Sequence, residues 1–229
     1  MKIGDIIPYF EMCREEGVNL QRGMNFRLHP NYSVLLMSLR KSAPYADRIE
    51  ENGRVLIYEG HDNPNYKGNG NTKNIDQSLH NPSGSLNQNG LFYQAALKYK
   101  NNQSQAERVK VYEKIHPGIW SYNGLFKLMD AWQEVSSARK VLKFKLELLG
   151  DLEELEGSQG EIDHSRIIPA SVKLEVWKRD KGQCVICRSK DNLHFDHIIP
   201  YSKGGSSLVA KNIQLLCARH NLTKRNKIE

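Results

Sequence analysis

The residues with the clearest chemistry in this chain are cysteines and a histidine near its end. Three of the four cysteines, Cys184, Cys187 and Cys217, lie in the last 46 residues, and His220 follows Cys217 at the spacing that separates the first two. Ligands at this spacing can point at one ion from a tight turn or a single helical turn. Three thiolates and one imidazole form a closed tetrahedral set that suits zinc. The spacing therefore predicts a structural Zn2+ site that supplies much of the folding free energy of a small unit.

A second group of polar side chains in the same segment consists of oxygen donors and one imidazole. Asp196 and Asn221 offer hard ligands that suit Mg2+ or Mn2+, and His197 can accept a proton from water. The neighbours His220 and Asn221 point about 100° apart on a helix, so each can serve a different metal. In a regular strand Asp196 and His197 point to opposite faces, so the strand must twist or end there.

The stretch "FDHIIPYSKGG" and the later "KNIQLLCARHN" carry a recognisable pattern. Residues 167–229 closely resemble the HNH (ββα-metal) nucleases through Asp196-His197, Asn212 and Asn221. The resemblance implies metal-assisted hydrolysis of a phosphodiester bond. His197 would activate the attacking water, and Asp196 and Asn221 would hold the catalytic ion. Asn212 would orient His197 by hydrogen bonding or pin the loop.

One departure from the nuclease pattern leaves an alternative open. Many family members have a fourth cysteine where this chain has His220, which creates a rival register in which His220 binds the catalytic metal and zinc keeps three ligands. Lys224 and Arg225 are candidates to contact the DNA phosphates, although a solvated helix face is an equally good interpretation. His194 receives no role from the sequence.

The charge pattern predicts the domain organisation. Residues 1–149 carry a net charge of +5, residues 150–163 carry −6, and residues 164–229 carry +8. A basic tail behind an acidic segment suggests a polyanionic partner such as DNA or RNA, although proteins that bind no nucleic acid reach similar charges. We therefore predict an acidic linker over 150–166, between a front domain and a nuclease tail of residues 167–229.

Local patterns predict an α+β fold. Apolar alternation indicates front-domain strands over 32–39, 54–60, 108–115, 124–132 and 140–149. Amphipathic patterns indicate helices over 90–100 and 5–16. The Asn- and Gly-rich segment between 61 and 90 is too long for an ordinary turn, so it is either disordered or functional. In the tail we predict a helix over 171–179, a strand in "LHFDHIIP" and a helix from about Leu215, which together form a compact ββα unit.

The front domain resembles the SRA (SET and RING associated) fold, a twisted sheet or barrel with flanking helices that flips a modified cytosine out of duplex DNA. The resemblance runs through "GVNLQRGMNFRL", "YSVLLMSL", "YADRIEENGRVLIYEGHD", "DQSLHNPSGSLNQNG", "RVKVYEKI" and "YNGLFKLMDAW". It implies that the segment between 61 and 90 is a loop that contacts DNA. It implies that Tyr45 and Tyr58 stack on the flipped base and that Asp47 accepts a hydrogen bond from its amino group, with Glu59 as a competitor. The alternative is that these tyrosines are ordinary core residues. Glu59 stands where a hydroxyl residue is common, and one extra residue lies between Tyr45 and Gly53.

These features together predict a modification-dependent restriction endonuclease that recognises 5-methylcytosine or 5-hydroxymethylcytosine in double-stranded DNA and cleaves nearby. Because one HNH site cuts one strand, we expect a homodimer. The absence of a long apolar run predicts an intracellular, cytoplasmic protein with no membrane association. The resemblance to restriction endonucleases implies a bacterial or phage-related origin. Two alternatives are an HNH endonuclease of unmodified or branched DNA, and a zinc-stabilised DNA reader without catalysis.

Overall fold

The computed structural model describes residues 1–40, 42–62, 72–136, 139–150, 168–200 and 203–224. The predicted acidic linker, apart from Gly150, and the predicted phosphate contact Arg225 lie outside these residues. The domain boundaries therefore stay a prediction. Within the described residues, no helix is both long and apolar enough to cross a membrane.

A large sheet forms the front of the molecule. Its strands are β1 Ile6–Pro8, β2 Met24–His29, β3 Tyr32–Met37, β4 Arg48–Glu50, β5 Val55–Glu59, β6 Arg108–His116, β7 Ile119–Ser136 and β8 Arg139–Gly150. The strand order is β2-β3-β6-β7-β8-β5-β4, and β1 pairs with the start of β7. All neighbours are antiparallel except β3 and β6, which are parallel. The predicted α+β class is confirmed.

Two helices accompany this sheet, α1 Tyr9–Glu15 and α2 Gln88–Lys100. Helix α2 begins where the Asn87 side chain accepts a hydrogen bond from the backbone N–H of Gly90, which satisfies an otherwise unpaired donor. Its Phe92 ring lies edge-on to Phe26 and Phe144, with centroids 5.2 and 6.2 Å away. The helix thus covers the apolar core of the sheet.

The tail consists of helix α3 Ala170–Arg179, a hairpin of β9 Leu193–His197 and β10 Ile213–Cys217, and helix α4 Ala218–Lys224. The predicted helix start at Leu215 is wrong, because Leu215 pairs with Phe195 and lies in β10. Leu215 and Leu216 are both buried, and a short run of buried apolar residues fits a strand or a helix equally well.

One other expectation changes in the front domain. The predicted helix over 5–16 starts only at Tyr9, because Ile6–Pro8 form β1 against β7. In the segment between 61 and 90, the Gln77 side chain bonds to the body of the front domain, and contact of the segment with DNA stays a prediction. Gln77 donates to the Gly60 carbonyl at 2.5 Å and accepts from the Leu142 N–H at 2.8 Å. Residues 63–71 lie outside the described part.

Candidate active site and base-binding cavity

Four soft ligands converge in the tail, as their spacing predicts. Cys184 and Cys187 lie in the turn after α3, Cys217 ends β10, and His220 is in α4. All four ligand atoms lie within 4.8 Å of one another. The Nδ1 atom of His220 is 3.4 Å from Cys184 Sγ and 3.3 Å from Cys217 Sγ, and the sulfurs of Cys187 and Cys217 are 3.7 Å apart. Metal–ligand bonds of about 2.0–2.3 Å to a tetrahedral ion produce separations of this size.

The local backbone favours the thiolate form of Cys184. Burial acts to raise the pKa of this thiol, but N–H groups of Cys187, Cys217 and Ile186 and the His220 ring outweigh it and lower the pKa to about 6. A thiolate is the form that binds metal. Because His220 lies among the three cysteines, the geometry favours the register in which His220 completes their set over the one in which it binds the catalytic ion.

Asp196 and His197 lie side by side at the end of β9. They pair with Gln214 and Ile213 of β10, so their side chains leave opposite faces of the hairpin. The strand ends at His197, which is one of the two ways in which Asp196 and His197 could both reach one site. A ring nitrogen of His197, Nε2, is 2.8 Å from the buried hydroxyl of Ser207, which fixes the orientation of the imidazole.

Asn212 pins the loop that follows His197. Its side chain accepts from the Ile199 N–H at 2.9 Å and donates to the carbonyls of Ile199 and Ser206, each at 3.1 Å. Gly205 allows this close approach, since a Cβ atom there would lie 1.8 Å from the Ile199 oxygen. Of the two predicted roles, Asn212 has the loop-pinning one, and it supports His197 indirectly by holding the loop that carries Ser207.

Lys224 is not where a phosphate contact requires it, and this expectation is corrected. Its side chain is 1% exposed, and Nζ donates to Asp196 Oδ2 at 2.6 Å and to the His197 carbonyl. The apolar stem is buried under α4, so the ammonium serves the active-site strand. Lys224 thus positions Asp196 instead of reaching solvent.

Asn221 shares a helix face with Lys224. It precedes Lys224 by three positions in α4, and residues at this spacing lie on one side of a helix. Since Lys224 reaches Asp196, this spacing leads us to expect that Asn221 faces the same strand end, while its neighbour His220 joins the cysteines. Among the described residues no group bonds to Oδ1 of Asp196. An amide oxygen and a carboxylate oxygen on one partly exposed surface fit a hard divalent cation that keeps several waters.

The front domain encloses a cavity of about 700 Å3. Its polar lining includes Arg22, Ser38, Arg40, Tyr45, Asp47 and His61. The size falls within the range typical of small-ligand sites. Two of the four predicted base-contacting residues, Tyr45 and Asp47, therefore lie at one concave surface.

The Tyr45 ring is already stacked. The His61 ring lies parallel to it, with an interplanar angle of 9° and centroids 4.4 Å apart, and the Lys73 ammonium is 3.9 Å from the Tyr45 centroid. Burial lowers the pKa of His61 to about 4, so this ring is neutral at neutral pH. Tyr45 thus already stacks on one flat, neutral heteroaromatic ring, that of His61.

Tyr58 does not offer a stacking face, and its predicted role is corrected. It is 1% exposed within the main apolar cluster, and its hydroxyl lies 3.2 and 3.1 Å from the carbonyls of Gly23 and Leu36. The alternative that this tyrosine is a core residue holds. Its hydroxyl also lies 2.8 Å from Nε2 of His61, so it orients the ring that stacks on Tyr45.

The two candidate carboxylates differ sharply. Glu59 is 4% exposed and bonds to the Lys143 ammonium at 2.8 Å, with Arg139 at 3.6 Å, so it is neutralised inside the protein. Asp47 lines the cavity and accepts N–H groups of Glu59 and Ser38 at 3.0 and 3.2 Å. Burial raises the pKa of Asp47 to about 7, although these N–H groups act in the opposite direction. Asp47 is therefore the better candidate, as predicted.

Sequence reasoning missed His61 and Ser207 as participants. His61 lies only three residues after Tyr58, and nothing in that spacing signals a stack on Tyr45, because the two rings come from separate loops. Ser207 is the last residue of the stretch "SKGGSS", where a serine is common for conformational reasons alone.

Comparisons with known proteins agree with this geometry. The family model described as HNH endonuclease matches residues 184–227, which contain Asp196, His197, Asn212 and Asn221. No curated protein matches the chain. The predicted likeness of the tail to HNH nucleases is thereby confirmed over that segment.

Similar solved structures include SRA domains, the family that the front-domain blocks resemble. One is the SUVH5 SRA bound to fully hydroxymethylated CG DNA, with 22% identity, a TM-score of 0.46, and 65% of this chain and 89% of that chain covered. Another is the modification-dependent TagI restriction endonuclease, with 19% identity, a TM-score of 0.43, and 99% of this chain and 78% of that chain covered. At these values the similarities carry no argument about substrate.

Proposed function

We propose that the protein is a modification-dependent DNA endonuclease in which the front domain reads a modified cytosine and the tail hydrolyses the DNA backbone nearby. One observation carries the nuclease assignment. His197, oriented by Ser207, lies beside Asp196 within the segment that matches HNH endonucleases. The cavity that contains Tyr45 and Asp47 supports the reading assignment.

The catalytic residues divide the work of phosphodiester hydrolysis. His197 accepts a proton from the attacking water, and the Ser207 hydroxyl keeps its ring in place. Lys224 holds the Asp196 carboxylate. A Mg2+ or Mn2+ ion held by Asp196 and Asn221 would stabilise negative charge on the scissile phosphate and the departing 3′ oxygen.

The second metal has a structural role in this proposal. Three thiolates and one imidazole form a closed set with no open position, and zinc is the ion that such a set selects. The Zn2+ ion would tie α4 to the turn after α3, and α4 carries Asn221 and Lys224. It thereby holds one side of the catalytic site without taking part in chemistry.

Reading of the base rests on Tyr45 and Asp47. A flipped cytosine loses its stacking in the duplex, and an aromatic ring offsets about 1–3 kcal/mol of that loss. The Tyr45 face that now carries the neutral His61 ring would accept the base after His61 moves aside. The Asp47 carboxyl then accepts a hydrogen bond from the amino group of the base.

Partner and setting follow from the same proposal. The net charge of +7 favours attraction to double-stranded DNA. Cutting both strands with one HNH site per chain requires two copies, so we propose a homodimer on DNA. A restriction role in a bacterial or phage-related cytoplasm stays a prediction of the sequence.

Matched plasmids test the proposed function. Plasmids with unmodified cytosine, 5-methylcytosine or 5-hydroxymethylcytosine are incubated with the protein and Mg2+ or Mn2+ at one stated salt concentration. We expect cleavage of a modified plasmid and little of the unmodified one. Equal cutting of all three would reject the reading role of the front domain and support an endonuclease of unmodified DNA.

A second candidate function is a zinc-stabilised reader without catalysis, and one observation favours it. The Lys224 ammonium lies 2.6 Å from Asp196, where it neutralises the carboxylate that the catalytic cation needs. In that case modified DNA is bound and no divalent cation supports cutting, which the plasmid assay distinguishes directly.

A further inference from the structure

We infer that Lys173 and Asp5 are positioning residues that dock the nuclease tail rigidly against the front domain and so fix the distance between the recognised base and the cut. This inference rests on the proposed function. It concerns residues outside both sites, and His194, which received no role from the sequence, belongs to the same interface.

The first contact is a buried charge cluster. Lys173 lies in the first turn of α3, yet its side chain is only 2% exposed because its ammonium contacts buried side chains of β6 and β7 in the front domain. Its ammonium is 3.0 Å from Glu113 Oε2 and 2.6 Å from Asn123 Oδ1. Asn123 also donates to Glu113 at 3.0 Å. The tail thus supplies the cation for a fully buried front-domain carboxylate.

Such a cluster is stable only when the two parts are docked. Buried ions lose their hydration, and their attraction offsets that loss only where the partners are close and hydrogen-bonded. If the tail moved away, water would enter and both charges would be solvated separately. Removing one partner instead leaves a buried charge uncompensated and disfavours the docked state.

The second contact is a strand seam at the catalytic strand. Gly4 donates its N–H to the Tyr122 carbonyl of β7, and its own carbonyl accepts the Phe195 N–H of β9 at 3.2 Å. Asp5 and His194 form an antiparallel bridge, with Asp5 Oδ1 2.6 Å from His194 Nδ1. Phe195 immediately precedes Asp196, so the backbone of the active-site strand is bonded to the front domain.

Two further features make this seam tight. Gly4 has a φ of +93°, and a Cβ atom there would lie 3.2 Å from the Phe195 carbonyl, so glycine permits the close approach. The Ile6 side chain packs against the apolar cluster of the tail. The front domain therefore contributes both backbone hydrogen bonds and apolar surface to the nuclease unit.

Cleavage mapping tests the inference. A long duplex with one 5-hydroxymethylcytosine, or 5-methylcytosine if the plasmids favour it, is cut by the full chain, and the cut positions are sequenced. In the parent protein, the distance from the modified cytosine to the cut should vary by only a few nucleotides. Lys173→Met should broaden the distribution severalfold while the summed cleavage changes less. Lys178→Met, an exposed lysine of the same helix, is the matched control and should resemble the parent.

A DNA-free measurement separates this inference from the proposed function. Hydrogen exchange of the Phe195 amide should be slow in the parent and at least tenfold faster in Lys173→Met. Asp5→Ala is the second variant, because it opens the seam without leaving a buried charge, and it should also broaden the cuts. If the Phe195 amide of the parent exchanges slowly but the protein cleaves no DNA, the proposed nuclease function is rejected and the docking of the tail against the front domain is supported. Dispersed cuts by the parent, or cuts by Lys173→Met and Asp5→Ala as narrow as the parent's, would overturn the inference.

Discussion

The two halves of the molecule are stabilised in different ways. Among the described residues, the front domain buries sixteen apolar side chains in one cluster and six in another, whereas the tail cluster has eleven, of which two are cysteines of the metal-binding set. A small core contributes little net stability, and a metal can supply the difference. We therefore expect the front domain to rely on its apolar core and the tail to rely on a metal held by its four ligands.

The same contrast holds for the two carboxylates that we assign to function. Asp47 is enclosed and held by backbone N–H groups, which keeps its pKa near 7. Asp196 lies at a strand end beside an ammonium and keeps one oxygen available. Burial suits a group that must recognise a neutral base, and an accessible oxygen suits one that must bind a cation. Four predictions test this contrast.

Loss of the soft-ligand metal should have the largest effect. Chelation or Cys184→Ser should unfold the tail and abolish cleavage, because structural zinc contributes roughly 10 kcal/mol in small modules. Metal analysis and peptide-level hydrogen exchange measure this. Cys13→Ser, which changes the remote cysteine of the front domain, should retain the metal and activity. A tail that stays folded without metal would contradict the expectation that the tail, unlike the front domain, relies on a bound metal.

His197→Ala should remove chemistry and leave reading intact. Cleavage should fall about 10²–10⁴-fold, as expected for loss of a general base, with unchanged affinity for modified DNA. Ser207→Ala should cost less, about 3–10-fold, because one hydrogen bond of roughly 1 kcal/mol is lost. Single-turnover kinetics measure the cleavage rate of each variant, and its metal content shows whether the tail is folded. Full activity in His197→Ala would show that another group is the base.

Asp47→Ala should remove discrimination and leave chemistry intact. Loss of this hydrogen bond should reduce the affinity for DNA with a flipped base by about 5–150-fold, or roughly 1–3 kcal/mol. Unmodified duplex that is bound without base flipping does not use the hydrogen bond, so the preference for modified DNA should fall by the same factor. Competition binding against unmodified duplex measures the preference. Glu50→Ala, an exposed carboxylate in β4, is the control and should keep it. An unchanged preference in Asp47→Ala would move the reading site elsewhere.

The smallest predicted effect is a pH dependence of recognition. With a pKa of about 7, Asp47 is mostly neutral at pH 6 and mostly ionised at pH 8. A neutral carboxyl accepts from the amino group and donates to N3 of cytosine, whereas the anion faces the N3 lone pair. The affinity for DNA with a flipped base should therefore weaken about tenfold between pH 6 and pH 8, and with it the preference over duplex that is bound without flipping. A preference that rises over this interval would show that the carboxylate is the binding form.

The metal set could be predicted from sequence because its members lie close along the chain. Cys184 and Cys187 share one turn, and Cys217 and His220 keep the same spacing, although Cys217 ends a strand instead of lying in a helix. The front cavity was predicted only in part, since Tyr45 and Tyr58 both look like strand-edge aromatics and only packing shows that one is buried. The ion pair of Lys224 with Asp196 depends on how α4 crosses β9, which no local pattern specifies.

The seam at Gly4 has a consequence for protein engineering. A chimera that joins a new reading domain to this tail at the acidic segment would keep every ligand and catalytic side chain. It would also discard Gly4 and Asp5, which bond to the edge of the nuclease hairpin, together with the Glu113 carboxylate that receives Lys173. A transplantable version of this nuclease must therefore bring an equivalent edge strand and an equivalent acid with it.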